Sequence, residues 1–115
     1  MRGLWLIFRS CVDRESGQSG IMAEKLEPKE IEEKISALDG WKVNEEGKLE
    51  KEYKFGDFVE AFSFLAAVAV EAEKLNHHPE IYNVYSTVRI QLTTHDADGL
   101  TDLDFQLAAQ LDQRA

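Results

Sequence analysis

Phe58-Val59-Glu60-Ala61-Phe62-Ser63-Phe64-Leu65-Ala66-Ala67-Val68-Ala69-Val70-Glu71-Ala72-Glu73-Lys74-Leu75 is the most apolar run of the chain, and it reads as a helix. Asp57 stands where an N-cap belongs, and Glu60, three residues on, is placed to reach back to it. Asn76 and Pro79 end the run. One stripe holds Phe58, Phe62, Leu65, Ala69 and Ala72, while Val59, Phe64, Ala66, Ala67 and Val68 spread apolar surface well round the cylinder. A surface helix keeps one side polar. Two apolar faces imply a sheet on one side and a second cover on the other, either another subunit or the short first helix. Phe64→Glu is the trial substitution for the outward stripe.

Working outward from this helix, Ile81 to Tyr85 reads as a strand and Ser86-Thr87 as a turn region. Val88, Ile90 and Leu92 then alternate with Arg89, Gln91 and Thr93 in a further strand. Asp96-Ala97-Asp98-Gly99 is a turn, and Thr101 caps a last helix with Asp104 at its third position. Leu100 can staple onto Phe105, and Leu107, Ala108 and Leu111 supply the buried face. Upstream, Pro28 suits the first turn of a helix whose positive end carries Glu27, Glu30 and Glu32. Ile31, Ile35 and Leu38 recur at helical spacing until Gly40 closes the run. Trp41 and Val43 alternate with Lys42 and Asn44; after the turn at Glu46-Gly47, Leu49, Tyr53 and Phe55 alternate with Glu50, Glu52 and Lys54. That is a β-hairpin. The order is α-β-β-α-β-β-α. Short turns between strands predict a four-stranded antiparallel sheet with three helices on one face, an α+β fold.

A chain of 115 residues, 43% hydrophobic and 30% charged, is one domain with an ordinary balance. Its lone cysteine, Cys11, excludes an internal disulfide framework and a thiolate zinc site, and fits a reducing, cytoplasmic setting. The formal charge is -9, placed unevenly: residues 1–21 carry three arginines against two acids, a balance of +1, leaving -10 for the rest. Such a body repels phosphate backbones, which argues against direct nucleic-acid binding. No apolar run approaches the ~20 residues of a membrane span. Leu4-Trp5-Leu6-Ile7-Phe8 is shorter than the ~7–15 apolar residues of a secretory signal, and Asp13 and Glu15 do not suit a mitochondrial presequence. With Ser16-Gly17-Gln18-Ser19-Gly20 as a linker and Met22 as a natural start, residues 1–21 read as a flexible extension and 22–115 as the domain.

All three histidines fall in Asn76-His77-His78-Pro79 and Thr94-His95-Asp96. Imidazole is the one side chain whose reference pKa, ~6.5, lets it give and take protons near neutrality. Three of them at two loop-like places, without an evident nucleophile, suggest proton transfer on a bound small molecule. Glu73 lies one helical turn before His77 and can orient an imidazole; its bland reading is a solvated charge beside Lys74. Asp96 can do the same for His95 or simply shape its turn. Thr93 and Thr94 end a strand whose backbone can meet an amide-like ligand edge; plain strand propensity is the alternative. Three histidines with Glu73 or Asp96 would also make an open zinc centre, although the helical ligand pair four residues apart is missing. A non-catalytic module, docking a partner helix on the free side of the central helix, is the rival from another class.

Glu73-Lys74-Leu75-Asn76-His77-His78-Pro79-Glu80-Ile81-Tyr82-Asn83-Val84-Tyr85, then Val88 to Leu92, then Thr94-His95-Asp96-Ala97-Asp98-Gly99-Leu100-Thr101 with Asp104, closely resembles the pterin-4a-carbinolamine dehydratase family. In animals its members are also the dimerisation cofactor of a homeodomain transcription factor. Gly40-Trp41 and Phe55-Gly56-Asp57-Phe58 extend the resemblance more loosely. It implies a helix-backed four-stranded sheet assembled into homodimers and commonly homotetramers, and loss of water from a 4a-hydroxytetrahydropterin with neither metal nor organic cofactor. It implies that His77 and His95 act as acids toward the leaving hydroxyl while His78 helps hold the pterin. The candidate site is then His77, His78 and His95 for catalysis, with Glu73, Asn76, Thr93, Thr94 and Asp96 around the substrate. Animal members differ at Asn76, Ile81, Ala97 and Leu103, which argues against a coactivator role and leaves the histidines untouched.

Overall fold

The computed structural model describes residues 24–115, so the expected extension, residues 1–21, and Cys11 within it lie outside the described residues. The elements follow the expected order: α1 (Pro28–Ser36), β1 (Lys42–Val43), β2 (Leu49–Lys54), α2 (Phe58–Leu75), β3 (Glu80–Val84), β4 (Thr87–Leu92), a 3-10 turn (His95–Ala97) and α3 (Asp102–Arg114). The strands form one antiparallel sheet in the order β1-β2-β4-β3. Register is set by alternation. Leu49 and Tyr53 of β2 and Val88, Ile90 and Leu92 of β4 point into the core, whereas Glu50, Glu52, Arg89 and Gln91 take the other face. One face of the sheet is therefore covered by helices and the other is open.

Each helix starts and stops for a local reason. Asp57 accepts the Glu60 N–H at 2.8 Å, while the Glu60 carboxylate reaches past the cap to the Gly56 N–H at 2.8 Å. Thr101 caps α3 by accepting from the Leu103 N–H at 3.2 Å, and Asp104 accepts from the Thr101 N–H at 3.0 Å. Leu100 and Phe105, the expected staple, both sit in the core with Leu107, Ala108 and Leu111. The β3–β4 turn differs from expectation by a residue: Val84 pairs with Thr87, so the loop is Tyr85-Ser86 and Thr87 belongs to the strand.

The two faces of α2 resolve differently from the trial choice of Phe64 for the outward stripe. Ala61, Phe64, Val68 and Ala72 are buried against the sheet and α3, whereas Phe58, Val59, Phe62 and Val70 are exposed. Phe64 is thus a core residue, and Phe64→Glu would break the fold rather than probe an outer surface. The outward stripe is the one through Phe62, and α1 does not cover it. Periodicity could not separate the two because both stripes are apolar.

Candidate functional site

The helix α2 delivers its C-terminus to the edge of the sheet where β3 begins and β4 ends. Asn76 terminates it in the left-handed region, with φ 52° and ψ 44°. Asparagine tolerates this conformation better than most residues. The His77 N–H then turns back onto the Ala72 carbonyl at 3.0 Å, the long closing bond of a Schellman-type end. This reversal is what drives the His77 side chain into the protein.

Inside, His77 is nearly fully buried, and its Nε2 lies 2.6 Å from Oδ1 of Asp104, a carboxylate with no exposed surface. The other oxygen of Asp104 accepts from the Thr94 hydroxyl at 2.9 Å and the Thr101 N–H at 3.0 Å. Thr94 and Thr101 share a further 2.8 Å hydroxyl contact. A buried carboxylate is tolerable only with such a set of donors. A carboxylate is an acceptor, so the imidazole donates through Nε2 and Nδ1 is left for other work. The hydroxyl of Thr94 is engaged here, and Asn76 supplies a backbone conformation.

His78 points the other way. Its Nε2 is 2.7 Å from Oε2 of Glu73, and both side chains are exposed. Helical spacing favoured Glu73 meeting His77; the left-handed residue at 76 breaks that spacing, and the carboxylate meets His78 instead. His95 opens the 3-10 turn and is exposed, as is Asp96 beside it. His95 and Thr93 line a cleft of about 380 Å³ whose other walls are Lys25 and Leu26, the hairpin loop at Glu46-Gly47-Lys48, and Asp98 to Leu100. Neither His77 nor His78 lines this cleft. The turn carrying His95 is held from two sides: Thr94 and Gly99 bridge each other, and the Leu26 N–H donates to the Leu100 carbonyl at 2.8 Å. Lys48 also reaches Glu80 at 2.9 Å, and that carboxylate raises the lysine pKa above its ordinary value.

Three groups of expected residues therefore emerge: His77 with Thr94, His78 with Glu73, and His95 with Thr93. Asp104 joins the first group to the strand end that leads into His95. The sequence marks Asp104 as a capping residue and as part of the stretch that resembles the family, without a tie to His77. Its second duty connects positions far apart in the chain and has no local signal.

The chain matches the family model described as pterin 4 alpha carbinolamine dehydratase over residues 24–114. A relative from Rhizobium rhizogenes is 53% identical over 93 residues, covering 80% of this chain and 92% of the relative. One from Sinorhizobium fredii is 52% identical over 93 residues, covering 80% and 89%. One from Solibacter usitatus is 51% identical over 94 residues, covering 82% and 98%. All three are named provisionally as pterin-4-alpha-carbinolamine dehydratases. A crystal structure from Brucella melitensis, titled transcriptional coactivator/pterin dehydratase, superposes with a TM-score of 0.77 at 41% identity, covering 80% of this chain and 99% of that one.

Proposed function

Because the chain belongs to the pterin-4a-carbinolamine dehydratase family, we propose that it removes water from a 4a-hydroxytetrahydropterin by histidine acid/base catalysis. The carbon–oxygen bond at C4a breaks as the hydroxyl is protonated and leaves as water. The adjacent ring nitrogen gives up its proton as the carbon–nitrogen double bond forms. The product is the quinonoid dihydropterin, and neither a covalent intermediate nor an electron carrier enters the balance. The observation that carries this reading is the buried His77–Asp104 contact at 2.6 Å. It fixes one ring nitrogen on a carboxylate and frees the other for proton transfer, an arrangement worth ~10²–10⁴-fold for a positioned acid or base. His95 is the second proton-transfer group, at the mouth of the adjoining cleft. His78, backed by Glu73, holds the substrate, with Thr93 and Asp96 at the rim and Asn76 and Thr94 shaping the backbone and network. The reading places the protein in the cytoplasm, in the recycling of a tetrahydropterin spent by a hydroxylase.

Stopped-flow dehydration of a 4a-hydroxytetrahydropterin tests this directly. His77→Ala and His95→Ala should each lower turnover strongly, and His78→Ala should mainly weaken binding. Unchanged turnover in the His77→Ala/His95→Ala double variant would remove the assignment.

The protein works as a homo-oligomer in this reading, a dimer or a tetramer built from two dimers. Support comes from the exposed Phe58, Val59, Phe62 and Val70 on α2, since a patch of this kind usually marks an interface. Phe62→Glu should reduce the sedimenting mass while leaving the fold intact. The same patch favours the second reading, a docking module without turnover, and one structural relative carries coactivator in its title. A chain that assembles normally yet does not accelerate dehydration would favour the module.

A further inference from the structure

Proton transfer at the histidines leaves one part of the site without a duty: the cleft of about 380 Å³ that His95 and Thr93 line, away from His77 and His78. We infer that this cleft receives the substituent at C6 of the pterin and selects an uncharged, largely apolar one, such as an aryl group. This rests on the dehydratase reading above and deepens it by naming the substrate class.

Dehydration takes place at C4a, and C6 is joined to C4a through the single ring nitrogen that loses its proton. Whatever sits on C6 therefore leaves the ring close to the group that protonates the C4a hydroxyl. With His95 in that role, the substituent emerges beside His95, where the cleft opens. The pyrimidine half of the bicycle lies on the other side of C4a from C6. That half is left to His78, which is not part of the cleft.

The walls are apolar for reasons set by the fold. No residue of α1 is fully buried, so Ile31 packs against the core and still shows a face to the cleft. Leu26 is tied alongside by its N–H, which donates to the Leu100 carbonyl at 2.8 Å. Val43, at the end of β1, stays 41% exposed and adds a wall from the hairpin. The stem of Lys25 lies against Gly99, where an added Cβ would come within 2.7 Å of its Cε. Its methylenes extend the apolar surface there.

Charge and size then decide the occupant. Lys48 lines the cleft, but Glu80 at 2.9 Å and Glu46 at 3.4 Å already match its charge. Glu46 and Asp98 stand exposed at the same cleft and would repel an anionic tail. A short polyhydroxyl chain would set its hydroxyls against Leu26, Ile31, Val43 and Leu100, whose side chains offer no hydrogen bond. It would also leave most of the space unfilled, since clefts of ~300–1,000 Å³ accommodate whole drug-sized ligands. A ring on C6 suits both the size and the lining.

The test is stopped-flow dehydration of three 4a-hydroxytetrahydropterins that carry methyl, dihydroxypropyl or phenyl at C6. Each kcat/KM is divided by the uncatalysed rate of the same compound, which removes differences in intrinsic reactivity. Phenyl should exceed methyl by at least about tenfold, as for an added apolar group in a hydrophobic pocket, with the difference mainly in KM. Dihydroxypropyl should give no gain over methyl. Two variants locate the preference: Val43→Trp fills the cleft, and Val43→Gln puts an amide in its wall. Because Val43 is already part exposed, both should keep the fold, which the melting temperature checks. Either variant should bring the phenyl-to-methyl ratio down severalfold. Equal values for phenyl and methyl, a preference for dihydroxypropyl, or a phenyl preference that both folded variants retain would each overturn the inference. No acceleration with any of the three compounds would overturn it through the dehydratase reading, so the two failures are told apart.

Discussion

Asp104 and Asp112 stand about two turns apart on one face of α3, and each gathers side chains from elsewhere in the fold. Asp112 accepts from the Trp41 indole at 3.1 Å, the Lys51 ammonium at 2.9 Å and the Tyr53 hydroxyl at 2.6 Å. Asp104 accepts from Thr94, the Thr101 backbone and His77. Indole, ammonium and phenol are donors with reference pKa values of ~10 or higher, so the first cluster keeps one protonation pattern through neutral pH. Imidazole is the side chain type suited to giving and taking protons near neutrality. In the proposed reading, the same helix therefore carries a strut at one end and a proton-handling site at the other. What separates them is the chemistry of the donor, more than the burial of the acid.

The largest expected effect comes from breaking the second hub. Asp104→Ala leaves the Thr101 N–H, the Thr94 hydroxyl and the His77 ring without their acceptor inside the protein. Removing one partner of a buried pair typically costs about 3–5 kcal/mol. Turnover should fall by ~10²-fold or more as His77 loses its orientation. Denaturant unfolding and the dehydration assay, run on one preparation, measure both. A destabilised variant with normal turnover would mean that the two hubs are alike.

Asp112→Asn should separate the properties. It weakens the Lys51, Trp41 and Tyr53 contacts and should cost about 1–3 kcal/mol, the range for buried groups that lose a partner. Turnover measured well below the melting transition should stay at the wild-type level, because nothing in this hub touches the histidines. A fall in turnover without a fall in stability would contradict the division between strut and site.

These hubs also show how far the sequence could be read. Alternation along Leu49 to Phe55 and Val88 to Leu92, together with the caps at Asp57 and Thr101, was enough for the α+β order, because those signals are local. Asp104 is legible as the third residue of a capping box and as part of the family resemblance, but not as a partner of His77, which is brought to it only by folding. Helical spacing carried through Asn76 sets Glu73 beside His77, whereas the backbone turns left-handed there. An all-apolar helix hides which stripe meets the sheet, so the pattern alone does not settle on which side Phe64 lies.

Tyr53 gives a pH-dependent version of the comparison. Burial, with the Asp112 hydrogen bond and charge adding to it, pushes the phenol well above its ordinary value of 10.0. A group whose folded pKa is raised contributes stability that is fully present below the unfolded value and lost as pH climbs toward the folded one. Wild-type stability should thus decline above pH 10, and Tyr53→Phe should lose that part of the decline. At neutral pH the same substitution should cost about 1 kcal/mol, or ~4–8 °C in melting temperature. Identical alkaline curves for the two proteins would detach Tyr53 from the Asp112 hub.

The smallest stability effect belongs to the pair that most resembles His77–Asp104 on paper. His78 and Glu73 approach to 2.7 Å, almost the same separation, but their side chains are 55% and 68% exposed. Water screens such a pair, and exposed pairs contribute about 0–1 kcal/mol. Glu73→Gln should therefore leave the melting temperature almost unmoved. Its effect should appear in KM instead, since in the proposed reading Glu73 orients the ring that holds the pterin. Added salt should shrink the difference from wild type, as it does for surface charges. A destabilisation comparable to Asp104→Ala would show that short imidazole–carboxylate contacts act alike wherever they lie, and that burial does not set their worth in this fold.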